Sequence, residues 1–297
     1  MINPHPGLPE FDYIKPSSLE EASQFLTQHS GDARPFLGGT DCFVRMRDGA
    51  WNPKYLVDVK NLNGMSKITF DPKKGLTIGA SVNMNQVIAS PEIQKYYPVL
   101  SESAHTVASY QLRTRATIVG NLCNASPAGD TTGACMVLGG VLQVYNAKGS
   151  RAEPLATFFK GPGKTVLNPG DIVTAITFPL PPKDYAAHYI KLGRNKVGDL
   201  AIVGVTALGY PDSTAKSGYR FRIALASVAP VPLEPAAAEA VLADQPVSIE
   251  RIAAAAQAAM DACTPIDDVR GSARYRKLMV RNLTRQAITY VWDHIRQ

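Results

Sequence analysis

The chain has 297 residues, 45% of them hydrophobic and 19% charged, with its 23 glycines and 22 prolines spread along the sequence. This profile excludes a disordered, collagen-like or low-complexity chain, and at roughly 100–200 residues per domain it fits two or three domains whose cores need no covalent staple. The net charge of +6 is carried by residues 270–297, where Arg270, Arg274, Arg276, Lys277, Arg281, Arg285 and Arg296 face only Asp293; the rest is nearly neutral, which argues against a general polyanion binder.

No apolar run reaches the ~20 residues of a bilayer span. Residues 1–10 hold three prolines and no apolar stretch, so no secretory signal is expected. Ser18 and Glu21 have capping-box spacing, and Leu19, Ala22, Phe25 and Leu26 follow at helical period, which predicts a helix ending near Gly31. A short strand over 34–37 runs into Gly38-Gly39-Thr40-Asp41. Residues 55–59 alternate as a strand, and 67–70 and 76–78 flank a hairpin turn at 71–75. Residues 81–110 are predicted helical, interrupted at Pro91 and Pro98. Residues 117–124 are predicted to be a strand passing through Gly120-Asn121. A short buried helix over 128–138, a strand over 141–145 and a strand within 166–178 follow.

Composition changes at Pro179-Leu180-Pro181-Pro182, where a domain boundary is placed. The expected division is 1–180, with subdomains of about 1–60 and 61–180, and then 181–297. Beyond the boundary lie strands at 186–192, 200–210 and 219–228, an Ala-rich helical stretch at 234–262 and a last helix near 272–295. Strands first and helices after predict an α+β domain. No internal repeat is visible.

Two segments carry ligand chemistry. Leu37, Gly38, Gly39, Thr40 and Asp41 sit where a strand ends; glycine permits positive φ, and successive N–H groups in such a turn form a nest for phosphate oxygens. Alone, this GGT also fits an ordinary turn. The second segment is Thr117-Ile118-Val119-Gly120-Asn121, followed nine residues after Asn121 by Asp130, a carboxylate suited to a ribose hydroxyl or an adenine-side group. Two phosphates need several N–H donors, which two loops supply better than one. A buried Asn tying a loop together is the alternative for this second segment.

Other chemistries lack support. Cys42, Cys123, Cys135 and Cys263 contain no CxxC pair and make a poor disulfide, zinc or iron–sulfur framework, which points to a reduced, cytoplasmic setting. His5, His29, His105, His188 and His294 have no metal-ligand spacing, and there is no GxSxG elbow. Lys277, Arg281 and Arg285 share one helix face, and Leu283, Ala287, Val291 and Ile295 mark an apolar one. A solvated face is the default reading of the basic one; RNA or membrane binding would call for interleaved aromatics and a longer basic patch.

The pair FLGGTD (36–41) and TIVGN (117–121) resembles the two FAD diphosphate loops of the medium subunits of molybdenum hydroxylases, the xanthine, carbon monoxide and nicotinate dehydrogenase family. The likeness continues through NASPAGD (124–130), GDIVTAITFP (170–179), KLGRNKVGDLAIV (191–203) and RGSARYRKLMVRNLTRQAI (270–288), and so covers nearly the whole chain. The resemblance implies an α+β fold: a two-subdomain FAD-binding domain of the PCMH/vanillyl-alcohol-oxidase type, then a C-terminal domain with a small antiparallel sheet and helices. It implies that residues 37–41 hold the FAD diphosphate from one side and Thr117, Gly120 and Asn121 from the other. Asp130 would lie near the nucleotide half, and Ile172 or Val173 would touch the isoalloxazine through the main chain. Lys191 would stand near the flavin's polar edge, where its charge favours reduced flavin; a plain surface charge is the alternative. No catalytic acid or base and no metal ligand is expected in this chain.

The implied function is electron transfer within a heterotrimer, as a dimer of heterotrimers: electrons from two [2Fe-2S] clusters of a small subunit pass through FAD to an external acceptor, while a large molybdopterin subunit oxidises the substrate. Flavin suits that place because it exchanges electrons singly or in pairs. The other readings are a stand-alone FAD oxidase of the same fold and a flavin-free scaffold subunit. Two departures from the family pattern stand out. Val119 replaces the first glycine of the second loop, where a positive φ would strain a β-branched residue, and Leu37 replaces the usual Ala.

Overall fold

The computed structural model describes residues 7–195 and 197–296, so that the first six residues of the N-terminal segment, Lys196 of the KLGRNKVGD motif and Gln297 lie outside it. The chain opens with β1 (Asp12–Ile14), α1 (Leu19–Gln28), β2 (Ala33–Phe36), α2 (Cys42–Arg47) and β3 (Tyr55–Asp58). Ser18 caps α1 by accepting from the Glu21 amide at 3.1 Å. The Glu21 carboxylate reaches back to the Ser17 amide and hydroxyl instead of to Ser18, so the box is shifted by one residue. The three strands form a parallel sheet in the order β1-β3-β2. Pro35 is tolerated because β2 is an edge strand and needs no donor on its outer side.

A second layer is a five-stranded antiparallel sheet, order β4-β5-β10-β6-β7, made of β4 (Ile68–Asp71), β5 (Gly75–Gly79), β6 (Val141–Tyr145), β7 (Arg151–Pro154) and β10 (Ile172–Phe178). Short β8 (Phe159–Gly161) and β9 (Lys164–Thr165) pair as a hairpin. Between β5 and β6 runs a helical excursion: α3 (Met84–Ala89), α4 (Pro91–Tyr96), α5 (Pro98–His105), α6 (Tyr110–Arg113), α7 (Ile118–Asn124) and α8 (Thr132–Val137); α9 (Leu155–Phe158) follows β7. The helical stretch breaks at Pro91 and Pro98, as predicted, into separate helices. Each opens one, at the first helical position, where a missing N–H is harmless.

The segment predicted as a strand at 117–124 is a helix. Thr117 is its N-cap, and the Ile118 and Leu122 side chains turn inward one turn apart. Val119 therefore has an ordinary helical backbone, with no positive φ and a buried side chain, and the strain a β-branched residue would suffer in a left-handed turn does not arise.

The C-terminal part is a three-stranded antiparallel sheet, β11 (Ala186–Leu192), β12 (Val203–Pro211) and β13 (Tyr219–Ala226), covered by α10 (Ala236–Asp244), α11 (Ile249–Asp261) and α12 (Ala273–Ile295). Its α+β character follows the strand-then-helix order of the sequence. Helix α12 seats on β12 at Gly209, where a Cβ would lie 2.7 Å from Val291. Arg276 departs from the expected exposed basic tail. It is buried, and its guanidinium donates to the carbonyls of Ile202 and Ser227 and pairs with Asp268 at 2.6 Å. Arg281 and Arg285 remain exposed.

The sheet is a shared wall. Val203, Val205 and Ala207 face a core with α10, α11 and α12, while Tyr189, Leu208 and Ala224 join the core of the N-terminal layers. Helix α8 presses against this sheet at Gly133, whose Cβ would sit 2.4 Å from the Thr206 hydroxyl.

Candidate functional site

The first wall of the site is the turn after β2. Gly39 has φ +73°, a conformation open to glycine, and a Cβ there would lie 2.5 Å from the Phe36 ring. A Cβ on Gly38 would lie 2.1 Å from the carbonyl oxygen of Arg115. The turn is thus in backbone contact with Arg115 and Ala116, which lead into the second segment far along the chain. Among the described residues, the amides of Gly38, Gly39, Thr40 and Asp41 donate to no other group. A run of amides left without acceptors on one turn is a site for anionic oxygens.

The second wall is the start of α7. The Thr117 hydroxyl accepts from the Gly120 amide at 2.8 Å, and Asn121 Oδ1 accepts from the Thr131 hydroxyl at 2.9 Å. The strand pairing of Thr117 with Asn83 and a bond from the Met84 amide to the Ala116 carbonyl tie this segment to α3. A Cβ on Gly120 would meet only the Thr117 hydroxyl, at 2.9 Å, so the backbone there is otherwise open to a ligand. One turn on, Asn124 Oδ1 is buried and has no partner among the described residues.

The walls enclose one cleft of about 420 Å³, within the usual range for ligand sites. Leu37, Gly38, Gly39, Thr40, Asp41, Thr117, Gly120, Asn121, Asp130, Ile172 and Val173 all line it. Lys191 does not. Its ammonium is turned to Asp130 Oδ2 at 2.7 Å and to the Thr106 carbonyl at 3.0 Å. Burial pushes the Asp130 carboxyl up, while the charge of Lys191 and hydrogen bonds from Lys191 and Tyr189 pull it back.

Some lining residues carried no signal in the sequence. Arg34 stacks over Trp51 at 4.1 Å, and both line the cleft; an aromatic and a guanidinium seventeen residues apart have no local pattern to link them. Leu112 and Leu200 stand exposed at its rim. Cys42 and Cys123 also line it, but burial pushes the Cys123 thiol up to about 12 and raises that of Cys42 as well, so neither is a thiolate near neutrality.

A glycine turn with unspent amides set against the capped start of a helix, on an α+β scaffold backed by a small antiparallel sheet, is an arrangement suited to clasping a dinucleotide. Residues 9–181 match the family model described as the FAD binding domain in molybdopterin dehydrogenase, and residues 188–291 match that of the CO dehydrogenase flavoprotein C-terminal domain. The carbon monoxide dehydrogenase medium chain of Hydrogenophaga pseudoflava is 30% identical, over 96% of this chain and 98% of that one. The xanthine dehydrogenase FAD-binding subunit of Escherichia coli O157:H7 is 26% identical over 93% and 94%. The solved structure of the Hydrogenophaga pseudoflava carbon monoxide dehydrogenase superposes with a TM-score of 0.91, covering 96% of this chain and 98% of that chain. The chain belongs to the family of FAD-binding medium subunits of molybdenum hydroxylases, which are oxidoreductase subunits.

The residues present fit FAD. The diphosphate calls for several donors, and the 38–41 turn offers a run of free amides. The nucleoside and ribityl hydroxyls call for acceptors, and Asp130 and Asn124, whose Oδ1 has no partner among the described residues, both line the same cleft.

Proposed function

We propose that this chain carries FAD as the electron-transfer subunit of a heterotrimeric molybdenum hydroxylase. In this reading Leu37, Gly38, Gly39, Thr40 and Asp41 hold the diphosphate from one side, and Thr117, Gly120 and Asn121 from the other. Asp130 accepts from the nucleotide half, and the main chain of Ile172 and Val173 lies beside the isoalloxazine. Lys191 acts one step back, through Asp130, rather than on the flavin itself. FAD, when bound, supplies a redox centre that exchanges electrons singly or in pairs. The protein supplies donors, exclusion of water and a fixed orientation.

The partners would be a large molybdopterin subunit, where the substrate is oxidised, and a small subunit with two [2Fe-2S] clusters. Electrons would leave for an external acceptor, and the assembly would be a cytoplasmic dimer of heterotrimers. The observation that carries the reading is that the two segments line one cleft, Gly38 lying against the Arg115 carbonyl. That the chain matches medium chains of carbon monoxide and xanthine dehydrogenases from end to end supports the partner set. The domain division at about residue 180 agrees with this reading. Within 1–180, about 1–60 and 61–180 each supply one loop.

The test is purification of the chain from its native host with metal and protein analysis. The expected result is co-purification of a larger subunit containing molybdenum and a smaller one containing iron. A chain that purifies alone, binds FAD and turns over a small alcohol would instead identify a stand-alone oxidase.

A further inference from the structure

Asp130 stands in the cleft wall with both carboxylate oxygens engaged by one strand of the C-terminal sheet. Oδ1 accepts from the Tyr189 phenol at 2.8 Å and Oδ2 from the Lys191 ammonium at 2.7 Å. Tyr189 and Lys191 lie two apart on β11, so both side chains project from the same face. Tyr189 and Asp130 are 5% and 6% exposed, and neither belongs to the glycine turns.

The surroundings hold the phenol in place. Gly204, opposite Lys191 in the β11–β12 register, leaves a slot; a Cβ there would lie 3.0 Å from the Tyr189 hydroxyl. The Tyr189 amide is fixed by Glu102 on α5 at 3.0 Å, and the other Glu102 oxygen pairs with His188 at 2.7 Å. A carboxylate has about four acceptor positions. Two are used by β11, which leaves positions for donors in the cleft.

We propose that Tyr189 is a positioning residue of the FAD site, which with Lys191 locks the Asp130 carboxylate in one orientation so that it accepts from a hydroxyl or amine of the nucleotide half. The inference rests on the FAD reading of the cleft. It adds that the C-terminal sheet completes a site whose other walls come from the N-terminal layers. Lys191 and Tyr189 from β11 face Asp130 directly; Glu102 and the Thr106 carbonyl on the α5 side, with His188 behind them, stand one step further out.

The test is titration of the full apo chain with FAD, read by quenching of flavin fluorescence, between about pH 5 and pH 8. It compares the wild type, Tyr189→Phe, Asp130→Asn and the double variant. Tyr189→Phe is expected to weaken FAD binding about tenfold, the size of one hydrogen bond to a charged group. It should also move the acid-side loss of affinity to higher pH, because the charged carboxylate has lost a donor. In the Asp130→Asn background the same change should cost nothing further. Gly204→Ala, which crowds the phenol, gives a second route to the same shift. Unchanged affinity and pH profile in both Tyr189→Phe and Gly204→Ala would overturn the proposal, as would an equal loss with and without Asp130. A wild-type chain that takes up no FAD would instead refute the underlying FAD reading.

Discussion

At Gly39 two constraints coincide, a φ of +73° and the Phe36 ring 2.5 Å from where a Cβ would stand. A left-handed backbone costs a non-glycine residue roughly 1–2 kcal/mol, and the ring overlap adds to it. Gly39→Val is therefore expected to leave the C-terminal core intact and to abolish FAD uptake, measured as flavin absorbance retained after gel filtration. That the glycine pair, Thr117, Asn121 and Asp130 belong together was legible in the sequence from their donors and acceptors, and the fold brings them to one cleft. Arg34 and Trp51, which line the same cleft, were not legible, since they meet only through folding. Lys191 stands outside the cleft lining, and the carboxylate it faces, sixty-one residues away, was fixed only by folding.

Among the elements, strand β10 places Ile172 and Val173 in the cleft, and its start is pinned by Asp171. Arg151 on β7 grips that carboxylate with two bonds, at 3.0 and 2.7 Å, while the Asn168 amide and the Asn146 side chain add two more. Burial raises the Asp171 carboxyl, but these four donors outweigh it and hold it below the usual carboxylate range. A folded pKa below the unfolded value gives stability that is present above about pH 4 and lost as pH falls through the folded pKa. Arg151→Met leaves Asp171 buried without its counter-charge. Because Arg151 is one-third exposed, the expected loss is about 2 kcal/mol, less than for a fully buried pair. Thermal melts across pH should show that loss at neutrality and a flatter acid limb than the wild type.

The same scale shows why α7 was misread. Thr-Ile-Val is a β-favouring run, and its alternation suits a strand. The cap bond from Gly120 to Thr117 and the inward turn of Leu122 decide for a helix, and both depend on packing that the local pattern does not express. By contrast β6, β11, β13 and α12 were read nearly to their ends, because each presents one clear periodicity to one core.

For the whole molecule, the C-terminal sheet serves two cores, and this explains the largely apolar run of β12, with Thr206 at its middle. A strand covered on both faces has no polar side to show. The loop after β11 also lines the cleft, at Gly198, Asp199 and Leu200, so the cleft is walled by both halves of the chain. No helix among the described residues is long and apolar enough to cross a membrane.

The central claim, that the 37–41 turn and the start of α7 grip one diphosphate, is tested most directly by amide hydrogen exchange of the full chain with and without FAD. Residues 37–41 and 117–121 are expected to gain protection together, at one FAD per chain. Stoichiometric FAD binding that protects only one of the two segments, or neither, would contradict it.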